Sequence, residues 1–190
     1  MKPFLILTIF VAAIYSSHAA KAFEIGALQI GGTGCEVPTG AHELIPVSES
    51  DLDFAIPIMM RTSKSITPTI ERKSCIMSLV VNLDANEKLV IQEASQKVRL
   101  IAGSGTKVST QLEVTLVGKK GQIMAADVTG TNKIARKNLT LEQATQPIVE
   151  SECDKDTIVR ANSSALIMGK SSGRVSSQPL YLSLKVVPCH

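Results

Sequence analysis

"CIMSLVVNL", Cys75 to Leu83, decides the fold. Successive side chains of an extended chain point to opposite sides, so Cys75, Met77, Leu79, Val81 and Leu83 share one face. Five apolar residues at period two predict a strand with one face buried. The same period returns near the C-terminus in "LYLSLKV". There Leu180, Leu182, Leu184 and Val186 face one way and Tyr181, Ser183 and Lys185 the other. In "QLEVTLV", Leu112, Val114 and Leu116 alternate with Glu113 and Thr115. Val98, Leu100 and Ala102 alternate around Arg99 in the same manner.

Turn signals separate these runs. Gly103-Ser104-Gly105 divides one strand from the next. "GKKG", Gly118 to Gly121, reads as the tip of a hairpin joining Leu112–Val117 to Gln122–Val128. Asp84-Ala85-Asn86 turns the chain after Leu83. Pro57, Pro68, Pro147 and Pro179 mark loops or edges, since proline donates nothing to a sheet ladder. Arg61 to Lys73 holds no steady period and reads as a long loop. Thr140-Leu141-Glu142-Gln143 has the form of a capping box, with Pro147 as a stop. That segment reads equally as a short helix or a polar loop. Many short strands with turns between them predict an all-β fold, an antiparallel β-sandwich of immunoglobulin-like or jelly-roll-like type in a single domain.

The N-terminus has a different character. Lys2 precedes an apolar run from Phe4 to Tyr15, about a dozen residues, the length of a signal-peptide core and too short for a bilayer span. Ser17-His18-Ala19 and Ala20-Lys21-Ala22 are small-x-small sites, so cleavage is expected after Ala22 or Ala19. Residues 1–22 read as a signal peptide and 23–190 as one secreted or periplasmic domain with no membrane span. No cysteine follows the apolar core, which argues against a lipoprotein anchor.

Removing residues 1–22 takes away Lys2 and Lys21 and no acid. Of 20 basic and 17 acidic residues, 18 and 17 remain, a formal charge of +1. So even a balance gives no reason to expect nucleic acid or an anionic membrane as partner. Past residue 22 the aromatics are Phe23, Phe54 and Tyr181. Sugar clefts and single-stranded nucleic-acid grooves commonly stack ligands on aromatic faces, so both readings lose ground.

Cys35, Cys75, Cys153 and Cys189 all follow the signal sequence. Four cysteines in an exported chain point to two disulfides. Zinc is the rival, but no pair has C-x-x-C spacing. Only His42 and His190 remain after cleavage. Three pairings are possible and the sequence does not select among them. The expected one is Cys35–Cys75 with Cys153–Cys189. Each link then closes a loop of roughly 40 residues, for which chain entropy gives about 4 kcal/mol.

"GTGC" at 32–35, "RKSC" at 72–75 leading into an alternating strand, "IVRANSSALIM" after Cys153, and a Tyr181 strand running to Cys189 carry a resemblance. The chain resembles an uncharacterised family of small secreted proteins of bacteria and fungi, known only as a domain of unknown function. Three features depart from that pattern. Asn82 to Asn86 replaces a Pro-x-Gly turn, no Trp stands near the last cysteine, and no cysteine lies between Cys75 and Cys153. The resemblance implies a secreted, disulfide-bonded β protein and leaves Cys189 as the partner of Cys153. It implies no activity.

No catalytic constellation emerges. "GGTGCEVPTG", Gly31 to Gly40, lacks the Lys-Ser/Thr end of a P-loop and the spacing of a dinucleotide fingerprint. It reads as a sharp corner beside a crosslinked Cys35. His42 is the only histidine placed to serve a Ser-His-Asp triad, and no G-x-S-x-G occurs. It reads as a loop residue near a strand start. "DVTG" at 127–130 has no second copy and reads as a strand end. Asp51 with Asp53, and Asp154 with Asp156, are the candidates for calcium, though neither pair sits in an EF-hand loop. Without aromatic platforms they argue poorly for glycoside hydrolysis. Asn138-Leu139-Thr140 and Asn162-Ser163-Ser164 fit the N-glycosylation pattern and read as ordinary polar residues. No cofactor is expected.

These readings converge on a non-catalytic exported β-sandwich that binds or supports an unknown protein or envelope component. Two alternatives belong to other classes. One is a secreted protease inhibitor presenting Gly34–Ala41 or Arg61–Lys73. The other is a hydrolase using dispersed carboxylates.

Overall fold

A computed structural model describes residues 24–37, 40–42, 44–46, 52–57, 59–65, 69–143 and 147–189. The segment read as a signal peptide, Asp51 and His190 lie outside the described residues. In chain order the strands are β1 Glu24–Gly31, β2 Gly40–His42, β3 Ile45–Pro46, β4 Leu52–Ile56, β5 Arg61–Lys64, β6 Ile70–Asn82 and β7 Glu87–Ala102. There follow β8 Thr106–Leu116, β9 Ile123–Gly130, β10 Ala135–Glu142, β11 Val149–Glu150, β12 Thr157–Gly169, β13 Gly173–Ser177 and β14 Leu180–Pro188. Every named pairing between these strands is antiparallel. The chain is all-β. Among the described residues no helix is long and apolar enough to cross a membrane.

The alternation in β6 sets the first sheet. Cys75, Met77, Leu79 and Val81 are fully buried, while Ile76 and Val80 stand on the outer face. Burying a large aliphatic side chain stabilises by roughly 1.5–3 kcal/mol, so each inward position helps fix the register. The sheet runs β2-β1-β6-β12-β8-β9. β12 buries Val159, Ala161, Ser163, Ala165 and Ile167, and β8 buries Val108, Leu112, Val114 and Leu116.

The second sheet is built on β7, which is long enough to carry two strands end to end along each edge. On one edge β13 pairs with Val98–Ala102 and β14 with Glu87–Ser95. On the other, β10 pairs with Ser95–Ala102 and β11 with Val90–Ile91. β4 lies outside β14 and β5 outside β13. Pro57 follows β4, Pro147 precedes β11 and Pro179 separates β13 from β14. Proline donates nothing to a ladder, which suits it to these strand ends.

The turns at Asp84–Asn86 and Gly103–Gly105 divide strands as the sequence suggests. They are corners rather than hairpins, carrying the chain from β6 to β7 and from β7 to β8 across the sandwich. Gly105 takes φ +67°, the left-handed region glycine enters without penalty. "GKKG" joins β8 to β9, with Glu113 opposite Ile123.

Two readings are corrected. Arg61–Lys73 is not a long loop, since β5 covers Arg61–Lys64 and β6 begins at Ile70. Among the described residues β5 pairs with β13 and buries Thr62, so its solvated positions hide the alternation. Thr140–Glu142 forms neither helix nor polar loop. These residues end β10, and Leu141 is buried opposite Gln96. Leu139 and Leu141 stand at period two, and pairing along β7 outweighs a four-residue capping signal. His42 lies in β2, its backbone opposite Leu28, rather than in a loop.

Two disulfides close the fold. Cys35–Cys75 joins the segment after β1 to β6 with a Cα separation of 4.8 Å. Cys153–Cys189 joins the segment before β12 to the end of the chain, with Cα atoms 6.1 Å apart. The glycine-rich stretch is a corner at the first of these. Gly32 has φ +138°, and a Cβ there would fall 2.3 Å from the Ser74 carbonyl oxygen. The Gly34 N–H donates to that same carbonyl at 2.9 Å.

Candidate functional site

The outer face of the second sheet carries a hollow. β7 turns Val98 and Leu100 into the core, which sends Lys97, Arg99 and Ile101 outward. Register then fixes their neighbours. Arg99 stands between Asn138 of β10 and Ser176 of β13. Lys97 stands opposite Thr140, and its carbonyl accepts from the Gln178 N–H at 2.9 Å. Ile101 stands between Arg136 and Arg174. Lys97, Arg99, Asn138, Thr140, Ser176 and Gln178 line a groove of about 480 Å³. A smaller hollow of about 120 Å³ continues it through Arg99, Ile101 and Arg174.

The groove is braced from inside and from the side. Gln96 is fully buried and reaches from the core, its Nε2 donating to the Gln178 carbonyl at 3.1 Å. Its Oε1 accepts from Ser163 Oγ of the opposite sheet at 3.0 Å. On the flank, the Met60 N–H donates to Ser177 Oγ at 2.8 Å, and the Ser177 N–H donates to the Met60 carbonyl at 2.9 Å. Met60 in turn bridges Cys35, and the Glu36 N–H donates to the Met59 carbonyl at 2.9 Å. The disulfide corner therefore holds the break between β4 and β5, and that break holds Ser177 at the groove wall.

The face is cationic at one end. Arg61 on β5 stands opposite Ser176 and pairs with Glu36 at 3.4 Å, both side chains exposed. Among the described residues Lys97, Arg99, Arg136 and Arg174 enter none of the ion pairs. Beyond Glu36, the acids of this face among the described residues lie farther along, at Glu142 opposite Ser95 and at Glu93 and Asp53 flanking Ser183. Tyr181 lies on the same face between Ala55 and Ser95, one row beyond the groove lining.

A second hollow of about 170 Å³ between Lys119, Glu152 and Lys155 is charge-matched. The Lys155 ammonium donates to Glu152 and, with the field of Lys119, holds that carboxyl below its ordinary value; Glu152 raises Lys155 in return.

The residues singled out by sequence are scattered. Asp53 lies on β4, and its neighbour Asp51 falls outside the described residues. Asp154 and Asp156 are occupied with the backbone: they accept from the N–H groups of Asn86 and Leu83 respectively, the latter at 3.0 Å. Among the described residues no three His, Cys, Asp or Glu side chains gather as metal ligands. Asn138, marked only by its glycosylation pattern, lines the groove, whereas Asn162 sits on the central strand β12. Lys97, Ser176 and Gln178 give no signal in the sequence, and Thr140 only those of the capping box and of the Asn138-Leu139-Thr140 pattern. Arg99 was marked only as the wet side of an alternation.

The family described as Domain of unknown function (DUF4360) matches residues 21–186, and the chain belongs to it. No curated protein matches this chain. Among solved structures, TmCBM61 in complex with β-1,4-galactotriose is similar at 16% identity and TM-score 0.26, covering 85% of this chain and 88% of that one. The family 11 carbohydrate-binding module from Clostridium thermocellum, in complex with a β-1,3-1,4-mixed-linked tetrasaccharide, is similar at 6% identity and TM-score 0.25, covering 82% and 95%. At these TM-scores neither likeness carries an argument about this chain.

Proposed function

We propose that this member of the family is an exported, non-catalytic binding protein whose ligand seat is the groove on β7, β10 and β13. The observation that carries the reading is the groove itself. Its lining mixes polar side chains with Val98 and Leu139, sits on three paired strands, and is tied to the core through Gln96 and to a disulfide through Met60. These ties hold the groove's backbone and Ser177 in place without a ligand, which lowers the ordering cost of binding. The lining offers hydrogen-bond donors and acceptors and two cations. It contains no His, Asp, Glu or Cys to move a proton or attack a bond. Export is supported by the apolar run at Phe4–Tyr15 with its two small-x-small sites, and two disulfides suit an oxidising compartment. N-terminal sequencing of the exported protein should begin at Phe23 or Ala20. The inhibitor reading loses one of its two loops, because Arg61–Lys64 and Ile70–Lys73 are strand.

A pelleting assay with the processed protein tests the groove. Wild type and a Gln111→Trp variant, altered on the other sheet, should sediment with envelope or insoluble glycan fractions from the producing cell. Ser176→Trp, which fills the groove, should stay in solution. Equal sedimentation of all three, or turnover of a substrate by the pure protein, would overturn the reading.

A further inference from the structure

We infer that the groove's ligand is a carboxylated polysaccharide, its acid groups taken by Arg99 and Arg174 and its hydroxyls by the uncharged lining. This rests on the groove being the ligand seat and adds the ligand's chemistry.

The cations are arranged around one residue. Ile101 has Arg136 directly across on β10 and Arg174 directly across on β13. Arg99 precedes it by two residues on the same outward face. Neighbouring strands lie about 4.7–4.9 Å apart and two residues along a strand span roughly 6.6 Å, so the three guanidinium stems rise at separations of roughly 7–10 Å. A single small anion engages one or two such groups. A chain bearing a carboxylate on successive or alternate units engages Arg99 and Arg174 together, with Arg136 adding to the positive field.

The rest of the groove narrows the choice among polyanions. Asn138, Thr140, Ser176 and Gln178 carry amide and hydroxyl groups, both donors and acceptors, beside Arg99 and Lys97. A sulfated or phosphorylated chain meets arginine forks as well, and dextran sulfate among the probes separates that chemistry. A uronate chain presents a carboxylate and several hydroxyls on each unit and uses both halves of the lining. Arginine is suited to the acid, because its planar fork meets a carboxylate through two parallel hydrogen bonds. A single-stranded nucleic acid and a neutral glycan both lean on aromatic platforms, whereas a polyuronate is held here through its charge. On this face Tyr181 alone is aromatic among the described residues. With no acidic residue in the lining, the groove also repels none of the ligand's charge.

Affinity electrophoresis of the full processed chain tests the inference, with polygalacturonate, its methyl ester, neutral galactan and dextran sulfate as the gel-borne probes. Polygalacturonate should retard the wild type and Arg160→Gln, a charge change on the outer face of the other sheet. The methyl ester and galactan should not. Arg99→Gln and Arg174→Gln should each weaken retardation about ten-fold or more, the loss expected for one charge-assisted hydrogen-bonded pair. Arg99→Lys, which keeps charge and loses the fork, should fall between and guards against a folding effect. Three outcomes would overturn the inference. Retardation by dextran sulfate equal to that by polygalacturonate and unchanged in Arg99→Gln would mean unspecific attraction. Retardation by galactan that Ser176→Trp abolishes would keep the groove as the seat and remove the acid. Indifference to all four polymers would remove the polysaccharide, while the sedimentation result would still decide the groove.

Discussion

Ser163 donates its hydroxyl to Gln96 Oε1 at 3.0 Å, and the bond crosses from β12 to β7 through the interior of the sandwich. Both residues are fully buried. Removing one partner of a buried pair costs about 1–3 kcal/mol, because the other loses a bond it cannot replace with water. Ser163→Ala should lower stability by that amount in urea unfolding. Gln96→Leu combined with Ser163→Ala should be closer to wild type than the sum of the single changes. The double variant should nonetheless bind its ligand more weakly, since the Gln178 carbonyl has lost the donor that braces it. A strictly additive cycle would show that the two side chains do not act together.

The same pair shows where the sequence stops being legible. Cys75–Leu83 and Leu180–Val186 are read correctly because every inward position is apolar. In β7 the inward face runs Ala94, Gln96, Val98, Leu100, Ala102, and the amide at its centre interrupts the pattern. Ser163 interrupts β12 in the same way, although Val159, Ala161, Ala165 and Ile167 continue on either side. Period two marks a strand by exclusion of polar groups, so a polar group satisfied across the core looks like its end. The groove is less legible still. Its lining comes from 97–99, 138–140 and 176–178, three short pieces brought together only by pairing on both edges of β7.

The two disulfides should respond differently to reduction. In the first link Cys75 is fully buried and Cys35 alone is partly exposed, whereas Cys153 and Cys189 are both partly exposed. Exchange needs a thiolate to reach sulfur, so a thiol reductant under native conditions should open Cys153–Cys189 first. Alkylation followed by peptide mapping would show the order. Replacing Cys35 and Cys75 together by alanine should cost up to about 4 kcal/mol by loop entropy alone. It should also loosen ligand binding, through Met60 and Ser177. Equal stability with and without that link would contradict its place in the fold.

The turn from β6 to β7 depends on two residues in the left-handed region. Asn86 has φ +65° and Asp154 φ +58°, and the Asn86 N–H donates to Asp154 Oδ1. The Asn86 carbonyl also accepts from the Cys189 N–H at 2.7 Å, so the turn is held against the second disulfide. A side chain with a Cβ costs roughly 1–2 kcal/mol in this conformation, less for asparagine. Asn86→Val should therefore destabilise by about that amount, and Asn86→Gly by little or nothing. Thermal melts of the two variants side by side would decide it. Equal losses would mean that the side chain, rather than the backbone, is what the turn requires.

Glu152 and Lys155 give a pH effect that is local rather than global. The hydrogen bond from Lys155, then its charge, then the charge of Lys119, lower the Glu152 carboxyl from 4.5. A carboxyl whose folded pKa is depressed contributes only above its unfolded value and loses that contribution as pH falls through the folded one. Lys155 is raised by the same pairing, so its share is present below its unfolded pKa and disappears as pH rises through the folded one. Both groups lie at the exposed surface, where water and salt screen the pair. Stability curves of wild type and Lys155→Gln should therefore superimpose from acid to alkaline pH. The titration of Glu152 itself should move upward in Lys155→Gln, followed by its carboxyl resonance, and added salt should shrink the difference. If that resonance titrates identically with and without the lysine, the pair does not exist in solution.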